Sequence, residues 1–364
     1  MTADLFTPLS LRDTELPNRV MVSPMCQYSA PDGVATDWHF VHLGSRAVGG
    51  AGVVMTEATA VAPEGRISPQ DLGIWTDEQA EAMGRIASFV REQGSVPAIQ
   101  LAHAGRKAST YRPWEGGAPV APEDGGWEVL APSDLPYPRD EDVTQPPLHV
   151  MDGDDVAAVV DQFAAAAARA RDAGFEIAEV HAAHGYLLHE FLSPVANQRD
   201  DEYGGSFENR TRLLREVTAA VRDVWPDEKP VFVRISGTDW LDDRESWDVA
   251  QSVRLAPLLA EAGADLVDVS SGGIHPAQEI THTGPNYQLP LAEAIHESTD
   301  DIAVGTVGGI TEPKQADAVV RNERADLVII GREFLRNPYW TLEAAHELGV
   351  DVEWPPQYRR ATFD

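Results

Sequence analysis

Eight short apolar runs, at residues 19–22, 52–57, 96–101, 175–180, 231–236, 266–270, 302–307 and 327–330, recur along this chain. Each is apolar at consecutive rather than alternating positions. A strand of that kind is buried on both faces, which is the condition of a parallel sheet covered by helices. Amphipathic helical patterns fall between the runs, at 39–47, 77–93, 154–174, 246–262 and 291–298, with another opening at Ser206. Gly94 ends the second of them, and Ser206, followed by Glu208, supplies a cap and an acidic first turn. No linker composition interrupts the alternation. The pattern predicts an α/β fold, one (β/α)8 TIM barrel over residues 1–364. Its one long interruption, residues 108–150, is rich in Pro, Gly and acids and carries Trp114 and Trp127. A loop of that length reads as a lid or binding loop, although its aromatic residues could equally pack the loop down.

Barrels of this kind carry their chemistry at the C-terminal strand ends. The fourth run opens into His181-Ala182-Ala183-His184-Gly185-Tyr186 and then a helix-like 187–192. Two imidazoles there can hold one carbonyl oxygen or small anion, and the Tyr186 phenol has a proton to give. Two His three apart are also a zinc-ligand spacing, and a His closing a strand can simply satisfy backbone carbonyls. The first run ends in Ser23-Pro24-Met25-Cys26, and Gln100 and Arg234 lie in the third and fifth. A guanidinium at such a place is costly to bury without an anionic partner. Cys26 is either a small core hydrophobe or, near an arginine, a tuning group. The last two runs end in Gly308-Gly309 and Gly331-Arg332, which suit phosphate at a barrel corner or, more plainly, tight turns with a surface arginine.

Composition narrows the function classes. With 59 acidic against 28 basic residues the net charge is −31, and Lys107, Lys229 and Lys314 are the only lysines. Such a surface repels a phosphate backbone, so no nucleic-acid partner is expected. Dispersed carboxylates favour halophilic adaptation, because screening falls to about 3 Å in molar salt; a dock for a basic partner is the other reading. Cys26 is the sole cysteine, which excludes an intramolecular disulfide and a cysteine-ligated cluster. The first residues show neither a basic nor an apolar leader region, and no apolar run reaches the roughly 18 residues of a membrane span. A cytoplasmic protein with no membrane partner is expected.

The motifs Ser23-Pro24-Met25-Cys26-Gln27-Tyr28, Gln100-Leu101-Ala102-His103-Ala104-Gly105-Arg106-Lys107, His181 to Leu187 and Asp201-Glu202-Tyr203-Gly204-Gly205-Ser206 stand in order over essentially the whole chain. Together they resemble the Old Yellow Enzyme family, most closely its thermophilic-like branch of bacterial ene-reductases. The insert with Trp114-Glu115-Gly116-Gly117 is similar to the xenobiotic reductase A side of that branch. The resemblance implies non-covalent FMN at the barrel mouth, reduced by NADPH or NADH. It implies Ser23, Pro24, Met25, Cys26, Ala58, Gln100 and Arg234 around the ring system, and Gly308, Gly331 and Arg332 at the phosphate. By the same resemblance His181 and His184 hold an activated alkene (an enone, enal, nitroalkene or maleimide), hydride reaches its β-carbon and Tyr186 protonates the α-carbon. Tyr28 would also touch the substrate. The tail, 353–364, would bring Arg360 to a neighbouring subunit's site in a homodimer or homotetramer, though its last residues depart from the family pattern. Two other classes stay open: a metal-dependent lyase or hydrolase using His181 and His184, with no metal expected on the family reading, and a flavin redox sensor without turnover.

Overall fold

A computed structural model describes residues 4–363; Met1 to Ala3, and Asp364 at the end of the tail, lie outside the described residues. The barrel strands are β1 (Val20–Val22), β2 (Val53–Ala60), β3 (Val96–Ala102), β4 (Ile177–Ala182), β5 (Val231–Ser236), β6 (Leu266–Ser270), β7 (Ala303–Val307) and β8 (Leu327–Ile330). They pair in parallel and in sequence order, and β8 closes on β1. Outside them lie α1 (Asp37–Val48), α2 (Asp77–Glu92), α3 (Gly153–Asp172), α4 (Arg212–Val224), α5 (Val249–Glu261), α6 (Leu289–His296), α7 (Pro313–Arg321) and α8 (Trp340–Leu348).

Helix boundaries follow local chemistry. The Thr76 side chain accepts from the Gln79 N–H while Gln79 returns a bond to the Thr76 N–H, and Asp152 caps α3 in the same reciprocal way. The helix expected from Ser206 begins there, with Ser206 accepting from the Asn209 N–H, but Thr211 divides it into Phe207–Arg210 and α4. Each helix buries one stripe against the strands' outer face, where Phe163, Leu213, Val217 and Leu255 are fully covered.

The barrel interior is layered. Met21, Val53, Met55, Ala98, Ile177, Phe232, Leu266 and Ile329 form an apolar plug. An N-terminal hairpin, Leu9–Leu11 with Thr14–Leu16, closes its lower end through Leu11 and Leu16. Each large apolar side chain so buried is worth about 1.5–3 kcal/mol. Two residues further along β3, β4, β5 and β6 the inward positions become polar: Gln100, Glu179, Arg234 and Asp268. The plug therefore sets the depth at which chemistry begins.

The interruption at 108–150 is less formless than its composition implies. Val129–Ala131 and Leu148–Val150 form a small parallel ladder, and Trp127 hydrogen-bonds the Glu64 carbonyl at 2.9 Å while Arg66 stacks on its ring at 4.8 Å. Trp127 packs the loop down; Trp114 stays 63% exposed beside Tyr28.

Candidate active site

At the top of β4 the chain turns through His184, a non-glycine residue at φ +60°. That region is costly for a side-chain-bearing residue and persists only where surroundings enforce it. Here four contacts do so. The His184 N–H donates to Ser236 Oγ at 2.9 Å, and its Nε2 lies 2.8 Å from Ser270 Oγ. Its carbonyl accepts from Lys107 Nζ at 2.8 Å, and Lys107 also donates to the Gly273 carbonyl at 3.0 Å. His184 Nδ1 stands 3.4 Å from His181 Nε2. Side chains ending β5 and β6 and a lysine following β3 thus fix one imidazole.

The His181 ring lies 5.1 Å from that of His184 and 5.3 Å from that of Tyr186. Lys107 Nζ sits 5.0 Å from the Tyr186 ring and 5.0 Å from that of Tyr137, which the long loop supplies. His181 is buried, whereas His184 and Tyr186 are half-buried and face the mouth. Burial, and then the Arg234 charge, holds both imidazoles well below the usual histidine range, so both are neutral near pH 7. Burial, then Cys26 and Asp71, pushes the Tyr186 phenol up, which keeps its proton available. A neutral pair of N–H donors beside a protonated phenol suits a carbonyl-type oxygen followed by proton delivery.

Below this group, Gln100 Nε2 donates to Glu179 Oε1 at 2.8 Å. Arg234 Nη1 lies 3.0 Å from Asp268 Oδ2 and 3.2 Å from Ser23 Oγ. The guanidinium sits within β5, two residues before its end, with Asp268 as its buried anionic partner. Ala58 follows a bulge in β2 and stands opposite Gln100. Pro24, Met25 and Cys26 continue from β1 at intermediate depth. Burial, then Asp71 and Glu57, pushes the Cys26 thiol well up; Cys26 is a thiol, not a thiolate.

The corner made by β7 and β8 fits a phosphate. Gly308 has φ +124°, and a Cβ there would come within 2.8 Å of the Gln288 amide. At Gly331 the nearest atoms to such a Cβ are 3.8 Å away, so the backbone is open to an incoming group. Arg332 begins the short helix Arg332–Arg336, is exposed, and among the described residues meets no carboxylate within salt-bridge distance. Arg234 Nε and His181 Nδ1 are buried without a hydrogen-bond partner. An unpaired guanidinium at a glycine corner, and orphaned buried nitrogens in and just above the polar layer, fit the phosphate and ring of FMN.

The structure brings together every candidate residue but Arg360. That residue lies in an exposed turn, Pro356–Ala361, whose preceding residues Trp354 to Pro356 share a groove with Ala51, Gly94 and Ser95, at the barrel's opposite end. Among the described residues no group of three His, Cys, Asp or Glu could hold a metal, so His181 and His184 lack a third ligand. Glu179, Asp268 and Tyr137 are site residues that motif reading passes over, and Lys107, although it closes one of the motifs, carries no expected role there. Glu179 and Asp268 do carry a signal, a carboxylate inside an apolar strand, which is too costly to be accidental.

Residues 4–350 match the NADH:flavin oxidoreductase / NADH oxidase family. The NADPH dehydrogenase of Bacillus pumilus is 47% identical over 363 residues, covering 99% of this chain and 100% of that one. Morphinone reductase in complex with tetrahydroNAD superposes with a TM-score of 0.76 at 29% identity, covering 98% of this chain and 93% of its own. The old yellow enzyme homologue of Zymomonas mobilis gives 0.76 at 26% identity, covering 97% and 94%. The barrel alone also matches 2-naphthoyl-CoA reductase, with a TM-score of 0.84 at 23% identity, spanning 95% of this chain but 52% of that longer one, a likeness of fold. The chain belongs to the NADH:flavin oxidoreductase / NADH oxidase family, as a flavin-dependent oxidoreductase of the Old Yellow Enzyme type that works with FMN and a nicotinamide reductant.

Proposed function

We propose that this protein reduces electron-poor alkenes such as enones, enals, nitroalkenes and maleimides. The carrying observation is the convergence of two neutral imidazoles and one protonated phenol above a polar floor. FMN, once reduced by NADPH or NADH, supplies hydride for the β-carbon. His181 and His184 hold the activating oxygen and draw charge from the double bond, which they can do as neutral donors at no desolvation cost for a cation. The Tyr186 O–H stands beside the same rings and delivers the proton to the α-carbon. Tyr28, edged by Trp114 with ring centroids 5.7 Å apart, bounds the pocket on the far side. In this reading Ser23 and Arg234 serve the ring's electron-rich edge, Gln100 its amide edge, and Arg332 with Gly308 and Gly331 the phosphate.

Titration of the FMN-loaded protein with p-hydroxybenzaldehyde tests the arrangement. The wild type should develop a broad long-wavelength charge-transfer band. Replacing His181 and His184 by Ala should weaken that binding at least tenfold, the loss of about 1.4 kcal/mol expected for one net hydrogen bond, with FMN retained. Tyr186→Phe should keep the band and slow alkene reduction. Loss of FMN from the His variants would sink the assignment.

A further inference from the structure

The polar layer beneath the two histidines holds two carboxylates and one guanidinium, and its hydrogen bonds do not close. Glu179 and Asp268 are both fully buried. Glu179 Oε1 is satisfied by the Gln100 amide, but Oε2 has no partner. Asp268 Oδ2 faces Arg234 Nη1 at 3.0 Å without hydrogen-bond alignment, and both Asp268 oxygens are otherwise unsatisfied. Asp268 on β6 stands opposite Arg234 on β5, and Glu179 lies on β4, the other neighbour of β5, so both buried carboxyls flank one guanidinium inside the barrel. Two ionised carboxylates so placed, shielded from water and sharing a single guanidinium, would repel strongly. A single proton relieves the repulsion and satisfies both Glu179 Oε2 and one Asp268 oxygen.

We propose that Glu179 retains its proton in the working protein and donates it from Oε2 to Asp268, linking Gln100, Glu179 and Asp268 in one hydrogen-bonded chain that ends on the carboxylate facing Arg234. In that chain the Gln100 N–H donates to the Glu179 carbonyl oxygen, and the Glu179 O–H donates to the Asp268 carboxylate. Arg234 donates to Ser23 and faces Asp268. The amide of Gln100 is thereby oriented with its Nε2 inward and its carbonyl oxygen free for an N–H donor above. Arg234 and Asp268 cancel, so the layer is neutral rather than negative. Burial raises both carboxyls, with Asp268 adding to the rise at Glu179 and Arg234 opposing it at both, which agrees with the geometry. The groups facing Glu179 are Gln100 from β3, Arg234 from β5 and Asp268 from β6, with His181 next along its own strand. Glu179 and Asp268 are positioning residues that act on the bound ring through Gln100 and Arg234; that consequence rests on the flavin reading, whereas the proton itself does not.

Infrared difference spectroscopy of the FMN-free polypeptide at neutral pH isolates the proton. Wild type minus Glu179→Gln should show a deuterium-sensitive carboxylic-acid C=O band, because Gln reproduces the same donor and acceptor pattern without a carboxyl. No such band would overturn the proposal. If E179Q does not fold, Asp268→Asn serves instead: with Arg234 deprived of its carboxylate, Glu179 should ionise and the same band should vanish, whereas its survival would also overturn the proposal. With FMN bound, the midpoint potentials of E179Q and wild type should coincide at low pH. At high pH wild type should fall below E179Q, because an ionised Glu179 disfavours adding negative charge above it; coincident profiles throughout would count against the chain. Failure to bind FMN would overturn the flavin reading and leave the infrared result standing.

Discussion

Glu190 shows how a single buried side chain makes stability depend on pH. It is fully buried in the short helix Leu187–Leu192, and its Oε1 accepts from the Arg106 N–H at 2.9 Å while Oε2 has no partner. Burial pushes its carboxyl up to about 8, against the opposing pull of Arg106 and Lys107. Because the folded value lies above the unfolded one of 4.5, the folded state binds the extra proton between those limits. Stability from this group is complete below the unfolded value, falls as pH rises through about 8, and is level beyond. The loss amounts to roughly 5 kcal/mol at most. Glu190→Gln keeps the acceptor and cannot ionise, so denaturant unfolding should show a flatter stability profile between pH 5 and 9 and a more stable variant at the alkaline end. Equal slopes in both proteins would refute the assignment. At this scale, legibility in the sequence depended on context: His181, His184 and Tyr186 announce themselves by clustering at a strand end. Glu179 shows only as a carboxylate inside an apolar strand, and Glu190 looks like an ordinary helix residue until the packing removes its water.

The barrel strands are the legible elements, because burial on both faces leaves an apolar run that survives without an alignment. The hairpin at Leu9–Leu16 is not, since two strands of three residues are too short to display a period. The ladder between Val129–Ala131 and Leu148–Val150 is hidden for a different reason: its partners are far apart in a Pro- and Gly-rich loop. The tail is the element whose expected role needs a second molecule. It anchors at the barrel's lower end through Tyr358 against Tyr339 and Phe363 against His346, with ring centroids 6.0 and 4.4 Å apart, which leaves Arg360 exposed and remote from its own site. Trp38, Val41 and Leu335 are 58%, 66% and 48% exposed on α1 and the helix Arg332–Arg336, elements joined by Arg46 donating to the Phe334 carbonyl at 2.7 Å. We propose that copies of this chain associate as a homodimer or homotetramer, with Arg360 completing a neighbour's mouth. Arg360→Ala should then raise KM for the alkene. Mixing that variant with His184→Ala should restore wild-type KM in hybrid assemblies, where an intact histidine site receives an intact arginine. Mixtures behaving as the sum of their parts, or a protein that stays monomeric at working concentration, would rule the shared site out.

At the scale of the whole molecule the dominant force outside the core is self-repulsion. Acidic residues exceed basic ones by 31, and the exposed carboxylates are spread over helices and loops on every side of the barrel. Salt acts on this surface in two opposed ways. It weakens surface ion pairs such as Arg85–Asp37 at 3.5 Å, whose partners are 68% and 91% exposed; pairs of this kind contribute about 0–1 kcal/mol each. It also screens the surplus charge, cutting the interaction range from about 10 Å at 0.1 M to about 3 Å at 1 M. The second effect should win, because 59 acidic residues meet only 28 basic ones and most have no cation to lose. The polar layer of the active site moves little under either, since Arg234, Asp268 and Glu179 are buried and screened by protein rather than by ions. The expected outcome is a Tm that climbs by several degrees between 0.1 and 2 M KCl, with the charge-transfer titration unchanged once the protein is folded. Sucrose at matched osmolarity separates screening from mere exclusion of cosolute: a rise in KCl without an equal rise in sucrose marks electrostatics. A Tm that is flat or falling with KCl would mean that the ion pairs outweigh the repulsion, and the acidic surface would then need a basic partner rather than salt to explain it.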